Sequence, residues 1–227
     1  MSTTLDIGFL LFPRLTQLDL TGPAQILGRV PGARTHLVWR DRGPVVTDAG
    51  FSINPTTTFD DCPQLDVLCV PGGFGIDDLF GDEEVLGFLR RQAAGARYVT
   101  SVCNGSLVLG AAGLLDGYRA ACHWAWREHL PRFGAIPVAE RIVRDRNRIS
   151  GGGVTAGIDF GLALAAELAG DDVARLLQLG FEYDPQPPFD AGSPETAGPA
   201  LVARYRAGAA ERIARVVARM PQPLHEV

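Results

Sequence analysis

Tyr98-Val99-Thr100-Ser101-Val102-Cys103-Asn104-Gly105-Ser106-Leu107-Val108-Leu109-Gly110 carries more structural information than any other stretch of the chain. An apolar β-rich run ends on a cysteine, glycine follows two positions later, and a helical pattern starts at once. This is the layout of a nucleophile elbow, a sharp strand-to-helix turn that lifts a side chain above the sheet. In an open α/β sheet such a turn opens into the crevice at the carboxyl ends of the strands, where ligands bind. A helix N-terminus also favours the thiolate, so the same feature is expected to lower the Cys103 pKa. A cysteine taken alone is more often inert core. The strand-Cys-x-Gly-helix context reverses those odds.

Outward from the elbow, β-rich runs alternate with helical patterns. Leu5–Phe12, His36–Arg40, Leu65–Val70 and Tyr98–Val102 read as strands, and the run Asp66–Val70, with little polar alternation, suits a central strand covered on both faces. Helices are expected at Gly22–Val30, with Pro23 in the first turn, and at Asp82–Ala94, Gly105–Ala112 and Ile158–Ala169. The last is apolar on nearly all sides and should be buried, with a second subunit as one candidate surface and others left open by the sequence. A Pro- and Gly-rich loop over Tyr183–Pro199 precedes an amphipathic helix from about Leu201 to Val217, with arginines expected on its outer face. The alternation predicts one α/β domain over residues 1–227, a mostly parallel sheet flanked by helices in the flavodoxin-like manner.

Composition narrows the function. With 227 residues, 46% hydrophobic and 21% charged, the chain is long enough for one well-buried core. A net charge of −5 without a basic stripe argues against nucleic acid as a partner. The N-terminal apolar run is short and lacks the flanks of an export signal, and no apolar run is long enough to span a bilayer, so a cytoplasmic location is expected. Cys62, Cys69, Cys103 and Cys122 show no zinc-ligand spacing and read as free thiols in a reducing compartment, and no metal site is expected.

Three further segments accompany the elbow. Pro71-Gly72-Gly73-Phe74-Gly75 follows the central strand, and its glycines let backbone amides approach a ligand or an oxyanion; a tight turn explains them equally well. Asp19, flanked by leucines in Gln17-Leu18-Asp19-Leu20-Thr21-Gly22-Pro23, is either an acid with a raised pKa or a helix cap, and the segment alone favours the cap. Gly151-Gly152-Gly153 leads into the buried helix and forms either the back wall of a site or a packing turn. Cys122 adjoins His123, but neighbours on a strand point to opposite faces, so the two are poorly placed to pair. No glycine spacing for dinucleotides or nucleoside triphosphates is present.

In this order, FPRLTQLDLTGP, DVLCVPGGFG, SVCNGSLVLGAAGLL, CHWAW, GGGVTAGIDFGLAL and EYDPQPPFDAGSPETA resemble the ThiJ/PfpI superfamily, whose fold is related to the class I glutamine amidotransferases. The elbow cysteine is shared across that superfamily. The DLTGP, VTAGID and YDPQPPFDAGSP segments are more specifically similar to the isocyanide hydratases. The resemblance implies Cys103 as nucleophile, Asp19 as its acid, Gly72 and Gly73 beside the site, Gly152 and Gly153 before a helix packed near it, and a homodimer. Asn104 stands where protease-like and glyoxalase-like members often have histidine and where hydratases most often have threonine; a role in binding substrate or holding Asp19 is expected. Relatives that are transcriptional regulators carry a helix-turn-helix module, and with a single helix after the Pro-rich loop no such module is expected here.

By this likeness the thiolate attacks the terminal carbon of a small-molecule isocyanide, Asp19 protonates that carbon, and water converts the thioimidate to an N-substituted formamide without any cofactor. Alternatives on the same residues are a thiol hydrolase or stress-response enzyme acting on reactive carbonyls, disfavoured by Asn104, and a cysteine redox or small-molecule sensor.

Overall fold

The computed structural model describes residues 4–221. Seven strands form the main sheet: β1 (Leu5–Leu10), β2 (Ala33–Trp39), β3 (Thr57–Thr58), β4 (Val67–Val70), β5 (Tyr98–Val102), β6 (Ile142–Asp145) and β7 (Arg148–Gly151). Their spatial order is β6-β7-β5-β4-β1-β2-β3, parallel throughout except for the β6–β7 hairpin. Every residue of β4 is buried, as its unbroken apolar run predicts for a strand covered on both faces.

Six helices accompany the sheet: α1 (Gln17–Leu27), α2 (Glu83–Gly95), α3 (Gly105–Ala111), α4 (Ala156–Ala169), α5 (Asp171–Gly180) and α6 (Pro194–Arg219). From β1 the chain crosses to β2 on one side, whereas from β4 it crosses to β5 on the other. Right-handed crossovers in opposite directions place their helices on opposite faces of the sheet. Accordingly α1 packs on α4, and α4 on α5, while α2 meets α3. Strand order reverses between β1 and β4, and the crevice at such a switch point is where open α/β sheets hold ligands.

Several boundaries differ from those expected. Helix α1 begins at Gln17, five residues before Gly22, so Pro23 lies inside it rather than in its first turn. Asp82 caps α2 by accepting the Val85 amide at 3.2 Å. The β6–β7 hairpin and α5 were not anticipated; the hairpin turns at Arg146, whose φ of 54° lies in the left-handed region that charged Asp-Arg-Asn sequences do not advertise. The loop at 183–199 already becomes helical at Pro194, where Ser193 and Thr196 form a capping box, and the helix kinks at Gly198 (φ 76°). Helix α4 is buried along Ala156, Gly157, Phe160, Gly161, Leu164 and Ala165, with its remaining positions partly open.

Candidate active site

Three loops converge at the switch point: the start of α1 after β1, the Gly72-Gly73 turn after β4, and the elbow after β5. Cys103 has φ 59°, the strained left-handed backbone of an elbow, and its amide donates to Gly151 O at 3.1 Å. Gly105 is required because a Cβ there would lie 2.6 Å from Pro71 O, so only glycine lets α3 start this close to the end of β4. Ser106, which sequence reasoning did not single out, donates its hydroxyl to Ala121 O at 2.7 Å and lies 3.1 Å from Cys103 O, tying the turn to the neighbouring loop.

Asp19 is fully buried, in the first turn of α1. It does not cap that helix. Its Oδ2 accepts the Gly72 amide from across the crevice at 3.0 Å, and its Oδ1 is buried without a hydrogen-bond partner. Burial pushes its pKa up to about 7, opposed by the Gly72 amide and by the neighbouring Cys103 side chain. The sequence expectation for Cys103 itself is corrected: burial first, then the adjacent Asp19, push its thiol well above the ordinary range, and the Asn104 amide offsets only part of this. A helix start seven residues long does not hold a desolvated thiolate alone.

Asn104 is buried and joins two of these loops. Its Oδ1 accepts the Gly73 amide at 2.8 Å and its Nδ2 donates to Gly73 O at 3.2 Å, so both ends of the amide are engaged within the protein. This side chain positions the Gly72-Gly73 turn. The turn's two amides point at Asp19 and Asn104, not into open space, which assigns them to organising the acid in place of a free oxyanion hole. A Cβ on Gly72 would fall on Asn104 Oδ1 and 2.8 Å from Asp19 Oδ2, and Gly73 has φ 143° with no room beside Leu15.

Gly152 and Gly153 lie apart from this network, along a cleft of about 460 Å³ that they share with Cys122, His123 and Trp124. The Gly152 amide donates to Arg141 O at 2.8 Å. Cys122 and His123 do not form a catalytic pair: burial pushes Cys122 up to about 12, and burial followed by Arg127 pushes His123 down to about 4. His123 is thus a neutral ring, and its Nδ1 accepts the Ala125 amide at 3.2 Å. Cys69 is enclosed in β4 and Cys62 is half-buried, with burial pushing their thiols up to about 12 and about 11. No group of three or more His, Cys, Asp or Glu is placed to hold a metal among the described residues, and no described helix is long and apolar enough to cross a membrane.

Cys103 is 6% exposed, so only a slim group reaches it. Beside it stands an aromatic cluster: the Tyr205 ring lies 5.0 Å from Trp124 and 6.2 Å from His123, and Phe74 lies 6.4 Å from Trp126. Tyr205 is near enough to Cys103 that a thiolate charge, after burial, raises its phenol pKa. Sequence reasoning noticed the CHWAW segment but not its partner on α6.

The model of the DJ-1/PfpI family matches residues 6–167. The chain is 61% identical over 206 residues to an isonitrile hydratase from Pseudomonas putida, covering 91% of this chain and 90% of that one. It is 33% identical to the transcriptional regulator GbdR of Pseudomonas aeruginosa, over 79% of this chain but 51% of the regulator. The crystal structure of a ThiJ/PfpI family protein from Pseudomonas syringae superposes with a TM-score of 0.92 at 47% identity, covering 95% of this chain and 90% of that one. An elbow cysteine facing a buried carboxyl at the switch point of a parallel sheet, together with these similarities, places the chain in the DJ-1/PfpI family.

Proposed function

We propose that the protein is an isocyanide hydratase, converting R–N≡C and water to an N-substituted formamide. The observation that carries the chemistry is the placing of Cys103, on its strained elbow, beside a buried Asp19 whose Oδ1 has no hydrogen-bond partner. The 61% identity to the Pseudomonas putida isonitrile hydratase over 91% of the chain supports the substrate class.

The pair works with one proton between its two groups. With Asp19 titrating near 7 and Cys103 well above the ordinary thiol range, the carboxylate takes the thiol proton as the sulfur approaches the substrate. Sγ forms a bond to the terminal isocyanide carbon, and that carbon's electron pair takes the proton from Asp19, giving the thioimidate R–N=CH–S–Cys103. Water adds to the same carbon, the C–S bond breaks, and the thiol recovers its proton as R–NH–CHO leaves. The rod-like isocyano group suits a nucleophile that is 6% exposed, because its reacting atom is terminal and the bulk of R stays outside. Gly72, Gly73 and Asn104 hold Asp19 in position, and no step requires a metal or organic cofactor.

A cytoplasmic homodimer belongs to this reading. Leu176 and Leu179 of α5 are 69% and 77% exposed and Phe189 is 79% exposed, an apolar surface suited to a second copy. The decisive experiment incubates the purified protein with cyclohexyl isocyanide and follows N-cyclohexylformamide by mass spectrometry. Formation by the parent and not by Cys103→Ala supports the reading, and absence of formamide with the parent overturns it.

A further inference from the structure

One stripe of α6 changes character along its length. Leu201, Tyr205, Gly208, Arg212 and Arg215 recur at spacings of three and four, which puts them on a single helix face. The first four, with Trp124, line a cavity of about 540 Å³, and Arg212 and Arg215 line an adjoining one of about 300 Å³. Arg212 belongs to both. The stripe therefore runs from an aromatic end, where Arg204 also lines the larger cavity, to a cationic end two helical turns away, roughly 10 Å from Tyr205 to Arg212 at the α-helical rise.

Among the described residues no ion pair neutralises the two arginines of the cationic end. Arg14, which lines the smaller cavity, is neutralised by Asp77 at 2.8 Å and Asp78 at 2.7 Å. Among the described residues Arg212 and Arg215 form no ion pair, even though Glu211 lies one turn before Arg215. Asp48 is the one carboxylate lining this cavity; it accepts the Thr16 hydroxyl at 2.7 Å and forms an ion pair with neither arginine. Arg212 is nonetheless held in place: its guanidinium sits 4.6 Å from the centre of the Phe74 ring, the residue that follows the Gly72-Gly73 turn. With Tyr205 close enough to feel a charge on Cys103, an aromatic end with two cations beyond it suits a molecule with a reactive terminus, an apolar body and an anion.

Resting on the hydratase reading, we propose that the preferred substrate is an isocyanide bearing a carboxylate, its body along Trp124, Leu201 and Tyr205 and its carboxylate between Arg212 and Arg215. A guanidinium pair matches a carboxylate by paired N–H donors, and its positive field also draws an anionic substrate towards the cleft. Both arginines are exposed, so each contributes a factor of about two to five in transition-state binding, not the larger factor of a buried pair.

The test compares kcat/KM for 4-isocyanobenzoate with that for its neutral analogue 4-isocyanobenzamide, on the full chain at low ionic strength, with formamide as the readout. The acid should be favoured about fivefold or more, and the advantage should shrink as salt is raised. In the double variant Arg212→Gln, Arg215→Gln the acid-to-amide ratio should fall to about 1. An acid used no faster than the amide, or a preference that survives the double substitution, overturns the inference while leaving the hydratase reading intact. If neither compound nor cyclohexyl isocyanide yields a formamide, the hydratase reading fails and the inference falls with it.

Discussion

Replacing Asp19 by Asn separates catalysis from stability because the two effects run in opposite directions. The folded pKa of Asp19, about 7, lies above the ordinary value of 3.8 because burial disfavours the charge. A carboxyl raised in this way contributes stability that is fully present below about pH 3.8 and is lost as pH rises to about 7; above that the loss is constant. The gap between those values corresponds to on the order of 4 kcal/mol of lost stability at pH 8. Asn has the same shape, keeps the acceptor for the Gly72 amide and never ionises; its unpaired Nδ2 costs about 1–3 kcal/mol. Asp19→Asn should therefore melt at pH 8 no lower than the parent, while the parent alone loses stability between pH 4 and 7. Turnover should fall by about 10²–10⁴, because no group remains to carry the proton from Sγ to carbon. The parent's kcat/KM should also rise with pH through an apparent midpoint near 7, where the pair reaches its one-proton state, and that limb should vanish in the variant. Melting curves and initial rates on the same preparations check all of this. A variant with near-normal turnover and a melting temperature several degrees lower would refute the proton-carrier role and return Asp19 to a structural one.

Cys103→Ala should abolish formamide production with the fold intact by circular dichroism, whereas Cys122→Ala, removing a thiol that burial pushes to about 12, should keep most of the activity. Gly72→Ala puts a methyl group on Asn104 Oδ1 and 2.8 Å from Asp19 Oδ2, so it should lower kcat by at least tenfold and the melting temperature together, read by rate assay and calorimetry. Asn104→Leu leaves the buried Gly73 amide and carbonyl without partners, at about 1–3 kcal/mol for each lost hydrogen bond, while Asn104→Thr keeps a hydroxyl that reaches one of them. Thermal stability and kcat/KM should follow the order Asn, Thr, Leu, and a leucine variant equal to the parent would show that Asn104 does not hold the turn.

The sheet was legible wherever its signal was local. An unbroken apolar run marks β4, a β-rich run marks β5, and the Cys103-x-Gly105 spacing marks the elbow because its requirements, a tolerated positive φ and a missing Cβ against Pro71, involve near neighbours. The start of α1 was misplaced because Pro23 reads as a first-turn residue, yet it sits inside a helix that begins at Gln17. That error also made Asp19 look like a cap. Its real partner, the Gly72 amide, is 53 residues away and leaves no trace in the local pattern. Asn104 illustrates the same limit: its polarity suggests contact with substrate, but a turn 31 residues distant occupies both ends of its amide. The aromatic wall needs Trp124 and Tyr205 together, and only the third dimension brings α6 to the CHWAW segment.

The thiol shows why the acid is needed at all. Read locally, a cysteine at a helix start is an activated nucleophile, and one residue suffices. In the folded chain the helix is short, Cys103 is 6% exposed, and desolvation outweighs the pull of the Asn104 amide, so the sulfur cannot remain a thiolate unaided. The proton must go somewhere within reach, and the same desolvation that raises the thiol raises Asp19 to about 7, bringing the carboxyl towards the thiol as a proton acceptor and making it an effective donor one step later. Burial thus acts on both members of the pair in a useful sense. In the proposed mechanism it withholds charge until substrate arrives, and it supplies an acid at neutral pH for a carbon that must be protonated as it is attacked. An exposed elbow cysteine with an ordinary surface aspartate would be the better thiolate and the poorer hydratase.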